Sequence, residues 1–163
     1  APSVRAGLIE RFGGDGRIVV LAPEELAGAI PDGSLDMVVA NSLLQYLSRQ
    51  EFSGLLALWR EKLRPAGRLV LGDVIPPGVG VATDAWALLA FAWRGGFLFS
   101  ALAGLARTAV SEYRKLRGAL GLTTYPEAEM LSLLDGAGFS ATRRRPNIGH
   151  NRARMTFVAE RRG

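Results

Sequence analysis

The chain has 163 residues, 48% of them hydrophobic, enough for one globular domain with its own core. It has no cysteine and a single histidine, which excludes disulfides, thiolate chemistry and a multi-histidine metal site. The net charge is +5, and arginines crowd the last quarter at Arg143, Arg144, Arg145, Arg152, Arg154, Arg161 and Arg162. Such a stretch can meet an anionic lipid surface or simply stay solvated. It lacks the interleaved aromatics of a single-strand nucleic-acid binder, which argues against a nucleic-acid partner. No secretory signal is visible at the start, so the default location is cytoplasmic.

In chain order, SVRAGLIERFGG predicts a short helix with Val4, Leu8 and Phe12 on one face and Gly13 as its stop. Arg17 to Leu21 (RIVVL) predicts a short buried strand, and PEELAGA a helical turn. The turn Pro31-Asp32-Gly33-Ser34 leads into a strand over Leu35 to Ala40. Ser48-Arg-Gln-Glu51 is a capping box, and Phe52, Leu55, Leu56, Trp59 and Leu63 then recur at helical spacing. Arg64 to Gly67 breaks that helix before another buried strand, Arg68 to Gly72. Alternating strands and helices with short loops predict an α/β fold with a mostly parallel sheet and helices on both faces. Ligands bind such sheets at the strands' carboxyl ends, where Asn41-Ser42 and Asp73 lie.

Residues 74–122 differ in character. A proline- and glycine-rich lead precedes the most apolar segment, WALLAFAWRGGFLFSALAGLA, which Arg94-Gly95-Gly96 splits into runs too short to span a bilayer. Two helices joined there would cap the sheet's carboxyl edge. The same apolar residues, with the arginines, leave peripheral membrane contact through residues 85–117 as an alternative. Beyond them, Thr124 to Glu127 opens a helix with Met130, Leu131 and Leu134 inward, followed by closing strands over Phe139 to Arg145 and Arg154 to Arg161.

Candidate chemistry is sparse. His150, in the loop Pro146 to Asn151, is the one side chain whose ordinary pKa lies near neutrality, and Asp73 directly follows a strand. Either is a candidate base. His150 can also be incidental, and Asp73 can anchor a ligand or cap a turn. Tyr113 and Tyr125 are candidates for acceptor contact or for packing. The cluster Gly13-Gly14-Asp15-Gly16 is a helix-to-strand connection, the wrong context for a phosphate loop, which needs strand before and helix after. No GxSxG partner exists for His150.

Taken in order, DGSLDMVVANSLLQYLS, a helix, LRPAGRLVLGDVIPP, MLSLLDGAGFSATRRR and RMTFVAERR resemble the class I S-adenosylmethionine-dependent methyltransferases. The resemblance covers about 25–75 and 124–163. It implies a Rossmann-like α/β core over 1–73 and 123–163, incomplete at the N-terminus, with 74–122 as a helical cap insertion. It implies S-adenosylmethionine as cofactor, with Asn41, Ser42 and Leu43 beside its methionine end and Ala22, Pro23 and Glu24 near the adenine. Ala22 stands where the family often has an acidic residue. Gln45 and Tyr46 match positions facing the transferred methyl group, and Tyr113, Tyr125 and Asn151 are assigned to the acceptor. The family's glycine-rich GxGxG turn is not in this sequence, so the chain resembles the C-terminal two-thirds of such an enzyme. The implied activity is methyl transfer to a hydrophobic small molecule. A non-catalytic partner subunit, a homo-oligomer or a complementing N-terminal segment stay open.

Overall fold

A parallel pair of strands carries the middle of the chain. In the computed structural model, which describes residues 2–110 and 122–163, β1 (Leu35–Asn41) runs beside β2 (Leu63–Val74). Val38 lies against Leu69, Ala40 against Leu71 and Asn41 against Gly72. Parallel neighbours need a crossover, which α3 (Arg49–Lys62) supplies. Its start follows the capping box: Ser48 Oγ accepts the Glu51 N–H, and the Glu51 carboxylate accepts the Ser48 N–H. Phe52, Leu56 and Trp59 form its buried stripe.

The closing strands, β3 (Phe139–Arg144) and β4 (Met155–Arg161), fall where the sequence places them. Both of their pairings are antiparallel, so the sheet order is β1-β2-β4-β3 with one parallel and two antiparallel pairs among the described residues. Leu69, Leu71, Met155, Phe157 and Ala159 face one core together with α3 and with Met130 and Leu134 of the helix Glu127–Gly136. At β1, Met37 and Val39 on the opposite face are about half exposed.

Before β1 lie α1 (Pro2–Phe12), a single 3-10 turn at Pro23–Glu25 and α2 (Leu26–Ala29). The expected strand over Arg17 to Leu21 does not form. Asp15 closes a turn instead, its carboxylate accepting the Arg17 backbone N–H and guanidinium, and Val19 beyond it is 76% exposed. A short apolar run becomes a strand only where a sheet edge pairs with it, and β1 does not pair with this one. The helix α1 does form, and Val4 and Leu8 on its apolar face are exposed.

The apolar segment forms α4 (Val81–Gly95) and α5 (Leu98–Val110). They break at Gly96, whose φ of 75° makes the left-handed stop that glycine favours. Trp86, Trp93 and Phe99 of this hairpin are strongly exposed. The helix Glu127–Gly136, α6, is entered through Pro126 with no side-chain cap from Thr124. No described helix is long and apolar enough to cross a membrane.

Candidate functional site

Two non-glycine residues at the carboxyl ends of the parallel strands adopt left-handed backbone, Ser42 after β1 (φ 54°) and Asp73 near the end of β2 (φ 62°). That conformation costs on the order of 1 kcal/mol per residue and persists where surrounding contacts over-determine it. The contacts are visible here. Ser42 Oγ donates to Asp73 Oδ2 at 2.7 Å, and Asn147 Nδ2 donates to Asp73 Oδ1 at 2.9 Å. Asn147 Oδ1 in turn accepts the Asp73 backbone N–H and the Thr156 hydroxyl. Gly149 passes so close that an added Cβ would lie 2.7 Å from Asp73 Oδ1.

Arg154, just before β4, completes the cluster. Its NH1 donates to Asp73 Oδ2 at 2.5 Å, while Nε and NH2 fork onto the two carboxylate oxygens of Asp84 in the first turn of α4, at 3.0 and 2.6 Å. Burial works against the guanidinium charge, but the Asp84 hydrogen bonds and the Asp73 charge outweigh it and hold its pKa above the ordinary arginine value. Asn151 Nδ2 also donates to Asp84, at 2.8 Å.

Between α4 and the loop 146–153 lies a cleft of about 440 Å³, lined by Trp86, Phe91 and Arg94 on one side and Asn147, His150 and Arg152 on the other. Phe91 and His150 are in ring contact, centroids 5.9 Å apart. A second groove of about 500 Å³ runs along Arg143, Arg144, Arg145 and Arg152. A larger hollow, about 910 Å³, opens near Asp32, Pro65 and Gly138. Those are turns at the strands' opposite ends, away from Ser42 and Asp73. The α4 cleft, which touches the cluster through Asn147 and Asn151, is therefore the better candidate.

The sequence-derived site residues divide between these environments. Asn41 at the end of β1 and Leu43 and Tyr46 just after it are exposed, and Gln45 is buried there, its side-chain oxygen without a hydrogen-bond partner among the described residues. His150 lies on the cleft. Asp73 is 7% exposed and accepts from Ser42 and Arg154 on Oδ2 and from Asn147 on Oδ1, so as placed it anchors the strand ends to the loop before β4. Asn151 is spent internally, on Asp84 and the Ala153 N–H.

Tyr125 requires a correction. It is 0% exposed, its ring edge-on to Phe52 at 5.6 Å and beneath the Arg49 guanidinium, so it is a core residue and not an acceptor contact. Burial pushes its hydroxyl above the ordinary tyrosine value. Tyr113 lies outside the described residues. Pro23 and Glu24 are exposed, but the Ala22 N–H already donates to the Glu25 carboxylate.

Sequence reasoning missed Arg154 and Asp84 as site residues. One signal was present: Asp84 is the sole acidic residue between Asp73 and Glu112.

Solved structures with this architecture include the S-adenosylmethionine-dependent methyltransferase SibL (TM-score 0.58, 14% identity, covering 100% of this chain and 41% of that one). Human N-acetylserotonin methyltransferase in complex with SAM gives 0.57 at 14% identity, over 99% of this chain and 39% of that one. Burkholderia thailandensis 1,6-didemethyltoxoflavin-N1-methyltransferase gives 0.52 at 17% identity, over 97% and 56%. The chain has a class I S-adenosylmethionine-dependent methyltransferase fold. It spans about half, or less, of the length of these methyltransferase structures. No family model matches the chain, and no curated protein matches it. Within the methyltransferase fold, the Asn41–Tyr46 loop and the α4 cleft both belong to the carboxyl-end side of the sheet, and the Ser42–Asp73 hydrogen bond joins the two strand ends.

Proposed function

We propose that this chain contributes the methionine-side loop and the acceptor cleft of an S-adenosylmethionine-dependent methyltransferase acting on a small hydrophobic acceptor. The observation that carries this reading is the coincidence, at one set of strand ends, of a strained polar loop and a partly aromatic cleft.

S-adenosylmethionine, when bound, supplies an electrophilic methyl group on a sulfonium, so the protein has mainly to align the partners and exclude water. Asn41, Ser42 and Leu43 would lie along the methionine end of the cofactor. Gln45 and Tyr46 would face the methyl group, Tyr46 being the exposed one of the two. Trp86 and Phe91 would hold an apolar acceptor against α4, and His150, which lines the same cleft, would serve as its base. Asp73 holds the loop after β1 in place through Ser42. Residues 74–122 would act as the cap in this arrangement.

The donor set fits the cofactor unevenly. The loop after β1 fits its methionine end, whereas Ala22 has little left for the adenine and no glycine-rich turn joins a strand to a helix among the described residues. The 163-residue chain alone is therefore expected to bind S-adenosylhomocysteine with a Kd weaker than about 0.1 mM in calorimetric titration. Micromolar binding would show that the adenine and ribose are held by groups other than those named here.

A further inference from the structure

We infer that Arg154 is a positioning residue: its one buried guanidinium latches α4 to the strand ends and thereby sets the width of the aromatic cleft. The connection runs without a gap. Ser42 Oγ donates to Asp73, Arg154 donates to the same Asp73 oxygen, and the rest of its fork grips Asp84 in the first turn of α4. Arg154 is 7% exposed, so these hydrogen bonds are little screened by water. The cleft has α4 as one wall and the loop 146–153 as the other. Asp84 is tied across it twice, by Arg154 and by Asn151.

The chemistry requires arginine. A planar fork can hold both oxygens of one carboxylate and still offer a third nitrogen to another, whereas a lysine ammonium is a point charge on one stem. The arrangement is also asymmetric. Asp73 belongs to the sheet and Asp84 to the hairpin, so losing Asp84 releases α4 while Arg154 keeps its partner in the sheet. An ion pair that served only global stability would loosen sheet and helix together.

The latch concerns the unliganded chain; that the space it frames receives a methyl acceptor rests on the proposed function. Native-state hydrogen exchange of the unliganded protein tests the latch alone. D84N is expected to speed exchange of the amides of residues 85–95 by about tenfold or more, the worth of a charge-assisted hydrogen bond. Protection of β2 and β4 should stay within about twofold. R154K should loosen α4 in the same way, and D84E, which keeps the charge, should restore most of its protection. Unchanged exchange in α4, equal loosening of the sheet, or failure of D84N to fold would each overturn the proposal.

Discussion

Among the described residues, three that are not glycine sit in left-handed backbone, Ser42, Ala66 and Asp73, and they differ in what offsets that cost. Ser42 and Asp73 hydrogen-bond to each other and, through Asp73, to Arg154 and Asn147. Ala66, exposed where the register of β2 shifts between Leu63 and Arg68 and with a φ of 58°, has only a methyl group and gains nothing from it. Ala66→Gly is therefore expected to stabilise the protein by about 1 kcal/mol, read as a higher urea midpoint at unchanged slope. A lower midpoint would mean that this segment relaxes in solution. At this scale the strand-end residues were legible because a strand stopping in small polar residues is unusual within the sequence itself. Arg154 was not, since its bonds to Asp84 join residues 70 positions apart, and its neighbours in sequence resemble any solvated basic stretch.

Among the elements, those with local signals were legible and those needing a partner were not. α3 follows from its capping box and 3.6-residue apolar spacing, both contained in the segment. Its Glu51 carboxyl is held below the ordinary glutamate value, first by the Ser48 backbone N–H and then by the Ser48 hydroxyl. A depressed folded-state pKa gives stability that is present above the unfolded value and lost as pH falls through the folded one. Glu51→Ala should therefore lower Tm at neutral pH, and the gap to the wild type should close on acidification below about pH 4. A gap that persists in acid would assign the effect to contacts of the Glu51 side chain other than its charged carboxylate, since alanine is the better helix former. RIVVL had the composition of a strand but does not pair with the sheet, and nothing within five residues could reveal that. Tyr125 could not be decided from its own segment either. Of its two readings, packing or acceptor contact, packing is the one found, and it depends on Phe52, far back in the chain.

At the scale of the whole molecule, the sheet order β1-β2-β4-β3 brings three distant segments to one end: the loop after β1, the end of β2 and the loop before β4. The methyltransferase-like order of motifs anticipated that convergence, whereas the ion-pair network that holds α4 against it appears only in three dimensions. The central claim is that the loop Asn41 to Tyr46 meets the methionine end of S-adenosylmethionine. The most direct measurement is an amide-resolved NMR titration of the chain with millimolar S-adenosylhomocysteine, which detects weak binding residue by residue. The expected result is a set of saturating shifts at Asn41, Ser42, Leu43, Gln45 and Tyr46, with β3 and α1 unmoved. No shifts, or shifts confined to sites away from that loop, would contradict it.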